Sequence, residues 1–413
     1  MAKLAINGGK KAAEGLAKKI PAWPQASRDD KEAILRVIDS SSWCSLHPES
    51  QVQQFEQAFA KYQQADYGIA VANGTVSLEL CLKAGGIEPG DEVIVPAVTF
   101  IATVSSVTEV GAIPVFVDSV PDTLSIDPKE IEKAITSRTK ALIAVHYGGY
   151  PVDFDAMLPI VKKRNLLFIE DAAHAHGTEW KKRKVGAIGD FGSFSFQQGK
   201  SLTAGEGGIV LTNNAKLAEK ARLIHNIGRK MGMPGYLHLV LSSNYRMTEF
   251  QGALLLSQIK RLPEWIELKH QNGEYLASEL SKIGGIEPLK RDPRITKRGY
   301  YFFIIKYDSD EFKGLARDKF IDALRAEGVG CGTGYGVPLY RNPAFEKENL
   351  KGIWAKSVGP IPDFEKLFLP VAEEFCAHQQ VTIGHPVLMV DRSGIQMIID
   401  SIVKIKDNVD ELI

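Results

Sequence analysis

One lysine stands in a setting that could do chemistry. Residues 193–208 read Ser-Phe-Ser-Phe-Gln-Gln-Gly-Lys-Ser-Leu-Thr-Ala-Gly-Glu-Gly-Gly, which puts Lys200 after an apolar run, in a glycine-rich turn with hydroxyls on both sides. Three chemistries want such a lysine. Gly199-Lys200-Ser201 suggests a P-loop, but that motif needs a glycine where Phe194 stands and a helix where a strand follows. No G-x-G-x-x-G follows a strand-like run, so a dinucleotide site is ruled out too. The remaining reading is a lysine that forms a Schiff base with pyridoxal phosphate (PLP), with a hydroxyl nearby for the phosphate. A lone loop lysine is most often a solvated charge. The reading therefore depends on partners.

The first partner is Asp171, in Phe168-Ile169-Glu170-Asp171-Ala172-Ala173-His174-Ala175-His176-Gly177. It ends an apolar strand, at the edge where open α/β sheets bind ligands. A carboxylate there could keep a pyridine nitrogen protonated, or simply cap the next helix. His174 and His176 with Asp171 leave a metal reading open, since on a strand the two histidines would share a face. No third strong ligand group accompanies them, and no metal is expected. A second partner is Asn73-Gly74-Thr75, where a strand runs into the start of a helix, a natural anion site. A third is Phe100, after another strand end, able to stack on a flat ring or to pack in a core.

These residues need a frame. Short β-branched runs at 68–72, 92–96, 114–118, 141–146, 166–171, 192–196 and 208–212 alternate with segments suited to helical crossovers, near 76–84, 101–110, 127–135 and 154–164. Several runs are apolar throughout, as strands covered on both faces are. The reading is an α/β domain with a mostly parallel seven-stranded sheet. From Met247 a helical stretch runs past Pro263, which should kink or divide it. A strand at 300–307, a helix at 313–327 and a terminal helix at 392–407 make a smaller α+β C-terminal unit. The expected domains are an arm over 1–30 attached to neither unit, a large domain over 31–262 and a small one over 263–413.

Composition removes other classes. The 413 residues carry 50 Lys and Arg against 50 Asp and Glu, so nothing in the net charge attracts nucleic acid or an anionic membrane. The four cysteines are scattered without a C-x-x-C pair, which fits a reducing compartment. No apolar stretch approaches the roughly 18 residues of a membrane span. Lys10, Lys11, Lys18 and Lys19 lie among alanines, but Glu14 interrupts them and no apolar signal core follows. A cytoplasmic protein is expected.

Taken in order along the chain, these segments resemble the aspartate-aminotransferase (PLP-transferase type I) fold. Within it they are similar to the DegT/DnrJ/EryC1/StrS family of sugar aminotransferases. The resemblance rests on Asn73-Gly74-Thr75, Thr99-Phe100, residues 114–118, Val145-His146, 171–177, 195–200, 205–208 and Asn244-Tyr245-Arg246-Met247. It implies that Lys200 is the Schiff-base lysine, Asp171 the partner of the pyridine nitrogen and Phe100 the ring-stacking aromatic. It further implies that Gly74, Thr75 and Ser195 hold the phosphate and that His174 meets the ring hydroxyl. Asn244 would reach the phosphate in the neighbouring subunit of a homodimer with shared active sites.

Two positions depart from the commonest family pattern, His174 where many members have glutamine and Gln197 where they have histidine. That pair resembles the branch of 3-amino-5-hydroxybenzoate synthases and glutamine:scyllo-inosose aminotransferases. Members that dehydrate sugars carry histidine at the Lys200 position, so the resemblance implies transamination. An amino group would pass from L-glutamate or L-glutamine to a keto group of a sugar, nucleotide-sugar or cyclitol in a ping-pong cycle between PLP and pyridoxamine phosphate. The alternatives are a 3-amino-5-hydroxybenzoate synthase-like activity and a non-catalytic regulator on the same fold. Trp43, Tyr335, Arg229, His146 and His385 are candidates to line the substrate site. Lys181, Lys182, Arg183 and Lys184 could receive an anionic substrate, although such a run is usually a solvated turn.

Overall fold

The computed structural model describes residues 3–47, 49–354 and 362–413. Seven strands form the central sheet: β1 (Tyr67–Val71), β2 (Glu92–Pro96), β3 (Ile113–Val117), β4 (Thr139–Val145), β5 (Leu167–Asp171), β6 (Phe191–Ser195) and β7 (Gly208–Thr212). Their order is β1-β7-β6-β5-β4-β2-β3, and only β7 runs against the rest. The α/β type I fold read from the sequence is the one observed.

Period-two alternation explains why these strands read as unbroken apolar runs. Val93 and Val95 of β2, with Ile143 and Val145 of β4, enter one core layer. Ile94, Leu142 and Ala144 enter the layer on the opposite face. Helices Gly74–Gly85, Ala102–Glu109 and Phe154–Arg164 supply crossovers over those faces. The first begins where Asn73 Oδ1 accepts the Val76 N–H, 3.0 Å away, and stops at Gly86, whose left-handed φ of 85° suits glycine.

The stretch after Met247 is divided rather than kinked. Helix Glu249–Gln258 ends, and helix Leu262–Leu280 begins with Pro263 in its first turn, where no backbone N–H is missed. That second helix leads into three antiparallel strands, β8 (Ile286–Pro288), β9 (Phe302–Tyr307) and β10 (Gln380–Gly384), in the order β8-β9-β10. The helix expected over 313–327 is shorter, Arg317–Ala326, because Lys313 and Gly314 take positive φ and turn the chain first. The N-terminal residues, expected to attach to neither unit, attach to the second. Leu4, Ala13 and Leu16 are buried in the same cluster as Ile395 and Ile398 of the terminal helix Arg392–Asp407.

Candidate active site

Each strand places a side chain by where it ends. The carboxyl ends of β1, β2, β4, β5 and β6 point to one edge of the sheet, and a cavity of about 670 Å³ opens there. Its wall includes Gly74, Thr75, Phe100, Asp171, His174, Ser195 and Lys200, seven of the eight residues singled out from the sequence. Asn244 does not line it. That residue is exposed, pairs by its backbone with Asn226 and accepts the Arg246 N–H at 3.1 Å. The wall is completed by Thr99, Gln197 and Glu206, from segments the sequence marked without giving them site roles, and by Tyr301 and Phe302, which it did not mark as site residues.

Consecutive acids on β5 face opposite ways. Asp171 turns to the cavity, 6% exposed. Glu170, with no exposed surface, accepts the N–H groups of Ile188 and Gly189 at 2.7 and 2.6 Å and meets His146 Nε2 at 3.0 Å. Glu170 thereby pins the loop behind the site, and His146 belongs to that support rather than to the substrate wall. Asp171 has a relay of its own. Thr103 Oγ1 donates to Asp171 Oδ2 at 2.8 Å and lies 2.8 Å from Thr99 Oγ1, while the Ala173 N–H reaches Oδ1 at 3.2 Å. Burial pushes the Asp171 carboxyl up against those hydrogen bonds and the nearby Lys200 charge.

Lys200 is half-buried. Burial pushes its amine down to about 8, with Asp171 opposing the shift. A lysine so placed has a much larger neutral, nucleophilic fraction near pH 7 than a solvated one. His174 stacks on Tyr301, with centroids 4.1 Å apart and planes 20° apart. Its Nδ1 accepts the Gly148 N–H at 3.4 Å, and its Nε2 faces Tyr335 Oη at 3.5 Å. Burial, then the Lys200 charge, holds His174 well below the usual histidine range, so the ring is neutral and Nε2 carries its hydrogen.

The start of helix Gly74–Gly85 meets the end of β6 at this cavity. A Cβ on Gly74 would lie 2.6 Å from Ser195 Cβ, so only glycine lets the helix approach so closely. The result is a shallow cradle of free backbone N–H groups beside two hydroxyls, Thr75 and Ser195. Phe100 stands at the mouth, 51% exposed, with its ring 6.0 Å from that of Tyr335. An anion-accepting helix start, a buried carboxylate, an amine with its pKa lowered to about 8 and an aromatic face in one cavity fit PLP.

The histidine pair separates. Residues 172–177 form turns rather than a strand; His174 faces the cavity, whereas His176 is packed against Phe59, Phe194 and Phe196. Among the described residues, no three His, Cys, Asp or Glu side chains gather as a metal site would need. Of the other candidates, Tyr335 lines the cavity. Trp43 leans on Phe250 away from it, Arg229 borders a different surface hollow, and His385 lies behind the Lys200 turn. The basic run is not at the mouth. Lys181 pairs with Asp155 at 2.6 Å, and Lys184 lies over the Tyr62 ring on a small hairpin joined to Ile295–Lys297.

The sequence and fold are both shared with known proteins. Residues 24–383 match the family model described as the DegT/DnrJ/EryC1/StrS aminotransferase family. A Micromonospora echinospora protein provisionally named L-glutamine:3-amino-2,3-dideoxy-scyllo-inosose aminotransferase is 37% identical over 403 residues, covering 95% of each chain. The L-glutamine:2-deoxy-scyllo-inosose aminotransferase of Streptoalloteichus tenebrarius is 36% identical over 404 residues, covering 93% of this chain and 94% of the relative. The crystal structure of 3-amino-5-hydroxybenzoic acid synthase superposes with a TM-score of 0.83 at 30% identity, covering 93% of this chain and 98% of that one.

Proposed function

Since the chain belongs to the DegT/DnrJ/EryC1/StrS aminotransferase family, we propose that it uses PLP to move the amino group of L-glutamine to a keto group of a cyclitol or a related sugar. The observation that carries this is the shared cavity of Lys200, Asp171 and the Gly74 helix start. The names of the relatives in hand support L-glutamine as donor and a scyllo-inosose as the acceptor class.

Lys200 would hold the cofactor covalently, Asp171 would partner its ring nitrogen, and Phe100 would stack on the ring. Gly74, Thr75 and Ser195 would take the phosphate, and His174 the ring hydroxyl. When bound, PLP supplies an electron sink for the negative charge that builds up as the donor loses its α-proton. The protein supplies the rest. The Lys200 amine, near neutrality by burial, takes and returns protons at Nζ. Thr103 and Ala173 fix the Asp171 carboxylate, so that its charge faces the cavity without rearrangement. The neutral His174 is held between Gly148, Tyr335 and Tyr301, which leaves it a hydrogen-bonding group without a competing charge. Aromatic walls from Phe100, Tyr301, Phe302 and Tyr335 exclude water and present flat faces to a ring-shaped substrate.

The working unit in this reading is a cytoplasmic homodimer. Trp43, Met231, Tyr236, Leu239 and Leu241 leave apolar surface exposed, as an interface would. Asn244, outside its own cavity, follows that segment and would serve the neighbouring site. The test is to incubate the PLP-loaded enzyme with L-glutamine and 2-deoxy-scyllo-inosose and to follow the amine formed. A wild-type enzyme that aminates neither this ketone nor any keto-sugar would overturn the reading.

A further inference from the structure

A second lysine, Lys269, is 1% exposed on helix Leu262–Leu280, and among the described residues no carboxylate pairs with it. Burial alone pushes its amine down to about 7. Burying an amine in this way costs stability that a leucine or methionine would not. Its two contacts show what the amine does there. Nζ donates to Ser201 Oγ at 2.6 Å and to the Tyr300 carbonyl at 3.4 Å. Ser201 follows Lys200 in the chain, and Tyr300 precedes Tyr301, whose ring centre lies 4.2 Å from Lys200 Nζ. Lys269 therefore ties together the two backbones that carry the facing pair.

Two further groups from outside the central sheet hold the same turn. The Trp23 indole N–H donates to the Lys200 carbonyl at 3.1 Å, and His385 Nε2 meets the Gly199 carbonyl at 3.0 Å. A carbonyl only accepts, so His385 donates from Nε2, and its buried Nδ1 has no partner among the described residues. Such an unsatisfied atom is tolerated where position matters more than stability. Among the described residues, His176 and His385 are the titratable groups facing Lys269, and both are held neutral chiefly by burial.

We propose that Lys269 is a positioning residue for Lys200, fixing the turn that carries the reactive amine against the Tyr301 wall through Ser201 and the Tyr300 carbonyl. The proposal rests on the role given to Lys200 above.

The test compares Lys269→Met, Ser201→Ala and the double variant. Two readouts are used: kcat and KM with L-glutamine, and backbone hydrogen exchange over 197–205 in the protein without substrate. The amides of Gln198, Lys200 and Ala204 are bonded within this turn and report its order. Lys269→Met is expected to lower kcat about tenfold, as a small misplacement of a reacting group does, with KM within about twofold. Exchange over 197–205 should quicken in both single variants, and the double variant should match Lys269→Met rather than multiply the effects. Unchanged exchange over 197–205, or independent multiplying effects of the two changes, would overturn the proposal. A wild type that does not transaminate would sink the function above, and the exchange result would then decide the role of Lys269 alone.

Discussion

The Lys200 amine faces the Tyr301 ring with 4.2 Å between Nζ and the ring centre, and the two residues come from different units of the fold. The central sheet supplies the amine at the end of β6, and the start of β9 supplies the ring. The wall of the cavity is therefore built jointly by the seven-stranded and the three-stranded sheets.

Removing the amine should remove the activity. Lys200→Ala is expected to show no transamination above background in a coupled assay. Turnover close to wild type would contradict the assignment.

Asp171 and Thr103 should act in series. Asp171→Asn is expected to cut kcat at least ~100-fold, the scale of losing a positioned charge. Thr103→Val removes one hydrogen bond from that carboxylate and should cost about tenfold, of the order of one such bond. The single-turnover rates with L-glutamine check the order. Equal losses in the two variants would mean that the hydroxyl acts on something other than Asp171.

Gly74 tests the cradle. A methyl group at Gly74 would sit 2.6 Å from Ser195 Cβ, so Gly74→Ala must push the helix start away from β6. PLP affinity, measured by equilibrium dialysis, should weaken about tenfold or more, with the loss of one or two charge-assisted hydrogen bonds. A variant that binds PLP as tightly as wild type would place the phosphate elsewhere.

Two pH profiles follow from these two lysines. With the Lys200 amine near about 8, uptake of PLP by cofactor-free protein should rise as pH approaches 8 and then level off. A rise continuing to pH 10 would mean an ordinary solvated lysine. For stability, the folded chain holds Lys269 at about 7, against an ordinary lysine value of 10.5. Between those values the unfolded chain binds the extra proton, so stability increases with pH across that window and falls as pH drops toward 7. Urea midpoints should therefore favour Lys269→Met over wild type more at pH 7 than at pH 9. The opposite trend would mean that Lys269 is stabilised as a charge.

Much of this was legible in the sequence because apolar runs and their ends are local signals. The seven strands and the placement of Asp171, Ser195 and Gly74 at one edge follow from run length and alternation. Thr103 and Tyr301 are not legible as site residues, since their roles come from where helix Ala102–Glu109 and the start of β9 bring them. The two histidines would share a face only on a strand, and turns replace the strand after Asp171, so the period-two rule does not reach them. The basic run at 181–184 reads as a mouth only until the hairpin carries it off to Asp155 and Tyr62.

The most direct measurement is the visible absorption spectrum of the purified PLP-loaded protein before and after L-glutamine is added. A yellow band that bleaches with L-glutamine, and that is absent from Lys200→Ala, is the predicted result. A protein that stays colourless with added PLP, or a yellow band indifferent to both L-glutamine and L-glutamate, would contradict it.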